Sequence, residues 1–213
     1  MKTDNLIQII ASDSLRDTQP SLKSQLLKLV FIGGLVSFTL MVLIFNFRPD
    51  LLQALKLPFF WVKLCFPLIL LIVAFQQITQ LAKPGNSKSD FFWELIVPIL
   101  VIWTLAVLSL MSPDSPDVEL LIKSDSGQGC SLSVAALSIP IFAVVFWVLK
   151  DMAATRPRLI GFMAGLFSGG FAACIFSLSC TEMSPVFIGI WYLIGMLIPA
   201  CVGALLGKTF LKW

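Results

Sequence analysis

The sequence predicts an all-α membrane protein with six transmembrane helices, both chain ends in the cytoplasm, and a short amphipathic helix ahead of the first span. Three observations carry that prediction. Of the 213 residues, 58% are hydrophobic and only 13% charged, with a mean hydropathy of +0.94. A soluble domain carries about a quarter charged residues, so this excess of apolar groups needs a non-aqueous solvent. The apolar residues fall in six runs of roughly 20, the length at which a helix crosses a bilayer. These runs are continuous and do not alternate every second residue, which favours helices over a barrel.

The spans read as 26–47, 62–81, 91–111, 132–149, 159–179 and 186–206, each bounded by polar or turn-forming residues. The one sizeable polar piece is 1–25, a cytoplasmic segment, and 26–213 forms a single transmembrane domain. The first apolar run, from about Leu26, is too long for the core of a signal peptide. Basic residues set the orientation. With the N-terminus inside, the inner segments hold 11 of them, including Lys2, Lys83, Lys150, Arg156, Arg158 and Lys208, and the outer segments hold four: Arg48, Lys56, Lys63 and Lys123. The long outer loop 112–131 carries Asp114, Asp117, Glu119 and Asp125. Trp61, Trp93, Trp147 and Trp213 sit near span ends, as interfacial anchors do. In the fifth span Gly161, Gly165 and Gly169 share one helical face, a spacing that admits a neighbouring helix closely.

The spans hold few of the ionisable residues that mark pumps, transporters and channels. Glu94, Gln76 and Gln77 lie near inner ends, where headgroups or a neighbouring helix satisfy them. The chain has no histidine, no HExxH and no phosphate-cradling glycine loop, so no catalytic residues are assigned and an enzyme is not expected. No cofactor and no metal ligand set is assigned either. No Lys/Arg cluster points to direct nucleic-acid binding.

Five cysteines remain. Cys65, Cys174 and Cys201 fall inside apolar spans and read as small hydrophobes. Cys130 immediately precedes the fourth span and Cys180 immediately follows the fifth. Both spans hang from one short inner loop. Climbing outward from it takes about 20 residues to reach either cysteine, which leaves the two at similar heights. Gly127 and Gly129 offer the backbone freedom a close approach needs. Spacing alone leaves three outcomes open: a permanent disulfide, a switchable redox pair, or no bond. Two thiols with Glu182 or Asp125 nearby make only a weak metal signal.

Residues 4–14 form the amphipathic helix. Leu6, Ile7, Ile9 and Ile10 share an arc opposite Asn5, Gln8 and Ser12, and Thr3 or Asp4 caps the start. So short a helix needs something to lie on: the membrane surface, the inner face of the spans, or a soluble partner.

The opening Thr3-Asp4-Asn5-Leu6-Ile7, the TRPRL run Thr155–Leu159, the lone Cys180, the SPxFxxxWYxxG run Ser184–Gly195 and the terminal Trp213 resemble the NrsF family. Its members are anti-sigma factors of the bacterial inner membrane that restrain extracytoplasmic-function (ECF) sigma factors, notably SigF. The resemblance implies that Asp4, Leu6, Ile7 and Ile10 engage the sigma factor. It also implies that Cys130 and Cys180 form an outward pair that senses oxidants or thiol-reactive metals. Asn5 stands where a second acidic residue is expected. The implied partners are an ECF sigma factor and the lipid bilayer. Rival readings are a quinone-linked membrane thiol oxidoreductase and a small transporter.

Overall fold

The computed structural model describes residues 22–81, 91–111, 125–150 and 156–210. The amphipathic helix expected at 4–14, with Asp4, Leu6, Ile7 and Ile10, lies outside the described residues, as do Trp213 and most of the 112–131 loop. The elements are α1 Leu22–Phe45, the short α2 Leu51–Ala54, α3 Pro58–Leu81, α4 Phe91–Leu110, α5 Asp125–Leu149, α6 Pro157–Phe176 and α7 Pro185–Phe210. The second turn of α7, Ile188–Tyr192, is π-helical. No strand occurs among the described residues. Six helices are long and apolar enough to cross a membrane, and each matches one expected span.

Two boundaries differ from the sequence reading in a way that matters. The fourth span is already helical at Asp125, so Gly127, Gly129 and Cys130 lie within α5 and not ahead of it. Hydropathy marks where the apolar environment begins, and the helix runs beyond that point. The fifth span ends at Phe176, and a turn at Ser177–Ser179 delivers Cys180 to an extended segment before α7.

α6 is the centre of the bundle, with 14 of its 20 residues buried. α7, α3 and α5 pack around it, α1 rests against α5 and α6, and α4 lies outside against α3 and the start of α7. The glycine face explains the central place of α6. A methyl group added at Gly161 would overlap the Gly203 carbonyl, and one at Gly165 would overlap the Pro199 carbonyl. Gly169 faces the Met196 backbone, and Gly207 of α7 faces Pro157. Apolar side chains gain little by leaving lipid for one another, so such backbone approach is what holds membrane helices together.

The outer surface is apolar. Phe31, Leu43, Trp93 and Leu205 are each more than 70% exposed, an arrangement that suits hydrocarbon and not water. Trp61 and Trp147 are also exposed near helix ends. Gln77 and Glu94 satisfy each other across α3 and α4, with Gln77 Nε2 donating to Glu94 Oε2 at 3.0 Å.

Candidate functional site

At the end of the bundle where α6 gives way to α7, residues 177–184 fold back as a strap. Ser179 Oγ donates to the Asn46 carbonyl at 2.7 Å, and the Arg48 amide donates to the Leu178 carbonyl at 3.5 Å. Phe45 meets Phe176 edge to face at 5.4 Å. The strap is thereby tied to the connection between α1 and α3. Asn46 makes the tight exit from α1 in the left-handed region, with φ 57°, a conformation asparagine tolerates better than most residues.

This strap carries Cys180 to Cys130. The two thiols are free and hydrogen-bonded to each other. Cys130 is buried in the core, whereas Cys180 is partly exposed. The counting of residues from the inner loop thus put both at one level, and the structure brings them together. The glycines expected to loosen the backbone do something else. Gly127 lies beneath the Trp191 indole, and Gly129 faces open space in regular helix.

Beside the thiols lies a residue the sequence reading assigned to the outer surface. Lys63, in the second turn of α3, is fully buried. Its Nζ donates to the carbonyls of Cys180 at 2.8 Å and Glu182 at 2.7 Å, and sits 5.4 Å from the centre of the Tyr192 ring. Among the described residues no carboxylate pairs with it. Tyr192 is also fully buried; its hydroxyl has no nitrogen or oxygen partner, and the Cys180 sulfur is beside it. Arg48, nearly buried, grips Asp50 with Nε and Nη2, both at 2.7 Å, and adds positive potential at Cys180.

These groups act on the thiol. The hydrogen bond from Cys130, then the Lys63 ammonium and the Glu182 backbone amide, hold Cys180 below the ordinary thiol range against the opposing effect of burial. Cysteines in electropositive, partly exposed surroundings are the reactive ones. Two signals for this site stood in the sequence unread: Lys63 lies within an apolar run, and Tyr192 is the chain's one tyrosine. No grouping of three His, Cys, Asp or Glu side chains that would hold a metal occurs among the described residues. Two thiols supply only part of the usual tetrahedral set.

The family profile described as "Negative regulator of sigma F", NrsF, matches residues 11–213. The chain belongs to the NrsF family. Two relatives of this family match end to end. The "Probable anti-sigma-F factor NrsF" of Azospira oryzae is 38% identical over 213 residues, covering all of both chains. The "Anti-sigma-F factor NrsF" of Caulobacter vibrioides is 34% identical over 217 aligned positions, again covering all of both. No solved structure matches this NrsF-family chain.

Proposed function

We propose that the chain is an anti-sigma factor of the bacterial inner membrane that holds an ECF sigma factor of the sigma-F kind at the cytoplasmic face and lets it go when the Cys130/Cys180 pair is oxidised. The observation that carries this reading is end-to-end similarity to two proteins named as anti-sigma-F factors, at 38% and 34% identity. The role is regulatory and not enzymatic. Residues 1–25 form the sigma-binding segment, with Asp4, Leu6, Ile7 and Ile10 making the contact, and 26–213 form the sensor. The charge distribution supports a topology with both termini inside, with 11 basic residues on that side against four opposite. The dithiol then faces outward, into a compartment where disulfides form and persist.

The adjacency of the two thiols supports a switchable pair. Joining them ties the strap to α5, and the strap already grips α3 through Lys63. A coupling of roughly 1–3 kcal/mol between the two faces gives a 5- to 150-fold change in affinity for the partner.

The test is capture of cytosolic sigma factor on the purified, detergent-solubilised chain, first reduced and then oxidised. Capture in the reduced state alone is expected, with Cys130→Ser abolishing the difference and Leu6→Asp with Ile10→Asp abolishing capture. Absence of any sigma factor in both states would overturn the reading.

A further inference from the structure

A buried lysine in a membrane protein is costly, and such residues mark function when they have a partner. Lys63 is fully buried, yet its nearest polar partners are two backbone carbonyls and a ring face. Carbonyl dipoles solvate an ammonium but do not neutralise it. The group able to do so is the Cys180 sulfur, carried on the residue whose carbonyl Lys63 holds at 2.8 Å. The same geometry separates the two thiols. Cys180 is partly exposed and near Lys63 and Arg48, whereas Cys130 is buried against the core. The groups facing Cys180 are Lys63 from α3, Arg48 from the α1–α3 connection, Cys130 from α5, Tyr192 from α7 and the Glu182 amide of its own strap.

We propose that Lys63 is a positioning residue that keeps Cys180 as the attacking thiolate of the pair, with Cys130 as its resolving thiol. The inference rests on the reading of the pair as the sensor and names the order of its chemistry. With a hydroperoxide as oxidant, the Cys180 thiolate attacks the terminal peroxide oxygen and the O–O bond breaks. Cys180 becomes a sulfenic acid, and the departing alkoxide takes a proton from water and leaves as an alcohol. The Cys130 sulfur then attacks the Cys180 sulfur. The S–S bond forms as the S–O bond breaks, and the Cys130 proton leaves with the hydroxyl as water. Two electrons pass from the sulfurs to the peroxide. The product carries no anion, so Lys63 is left charged in a dry site with carbonyls alone. Oxidation therefore loosens the grip between α3 and the strap at the moment it ties the strap to α5.

The experiment follows iodoacetamide alkylation of the full-length protein against pH, resolved by peptide mass spectrometry, with added N-acetylcysteine as the reference thiol. Cys180 is expected to react with a midpoint below that of the reference thiol. Lys63→Met should raise the Cys180 midpoint and slow its reaction at pH 7 roughly tenfold, with the reference thiol unchanged, and be reversed by Lys63→Arg. An unchanged Cys180 profile in Lys63→Met overturns the proposal. Should Lys63→Met aggregate, the order of attack is read by trapping sulfenic acid with dimedone after limiting hydroperoxide. An adduct at Cys180 in Cys130→Ser, with none at Cys130 in Cys180→Ser, supports the order, and the reverse overturns it. No sigma factor is present in either measurement, so failure here leaves the sigma-binding reading intact. Conversely, loss of redox-dependent capture leaves these profiles unmoved.

Discussion

The seam between α6 and α7 and the interface between α3 and α4 are built on opposite terms. In the first, glycine meets backbone: Gly161 against Gly203, Gly165 against Pro199 and Ala200, Gly169 against Met196. In the second, larger side chains stand off and leave an apolar groove of about 250 Å³, lined by Val62, Cys65, Phe66 and Ile69 of α3 and by Val97, Val101 and Leu105 of α4. Its polar tie is the Gln77–Glu94 hydrogen bond. In lipid there is little to gain from moving one apolar side chain off hydrocarbon and onto another, so close contact decides which helices belong together. α6 and α7 form the fixed frame, and α4 is a rider on it.

The sharpest way to break that contrast is to fill the seam. Gly165→Val places its Cβ against the Pro199 carbonyl, with two methyl groups more to house, and is expected to cost about 3 kcal/mol or more. Thermal unfolding in detergent checks it, and an unchanged melting temperature would mean the seam parts cheaply. A glycine in helix away from any seam should behave in the opposite sense. Gly129 has nothing within 4 Å of an added methyl, so Gly129→Ala is expected to gain about 0.5–1 kcal/mol from helix propensity alone in the same assay. Smallest is the change in the loose interface. Cys65→Phe points a ring into the open groove and is expected to move stability by less than about 0.5 kcal/mol in either direction. A loss as large as that of Gly165→Val would show that α3 and α4 are as tightly specified as the seam.

The spans were legible because length and hydropathy suffice to find them, and the glycine face because a four-residue spacing has only one meaning on a helix. The level of Cys130 and Cys180 was legible too, since both spans leave one short loop and rise by a fixed step per residue. Lys63 was not. A lysine in the first turns of an apolar run reads as one whose head reaches the interface, and its burial depends on a strap that arrives from Cys180 and Glu182, more than a hundred residues later in the chain. Tyr192 was missed for a related reason. Nothing in Ile188–Tyr192 announces a π-helical turn, yet that turn aims the ring at Lys63.

That wide turn also has an arithmetic consequence. It accommodates one residue more than the α-helix it interrupts, which rotates everything after it by about 100°. Gly203 and Gly207 face Gly161 only because of that added step. Were the turn to tighten to α-helix at unchanged length, the rest of the last helix would turn by one position and present Val202 where Gly203 now stands, whereas removing one residue together with the bulge would leave the glycine face in place. The extra residue between Ile188 and Tyr192 therefore marks a place where a single deletion can be absorbed without turning the seam.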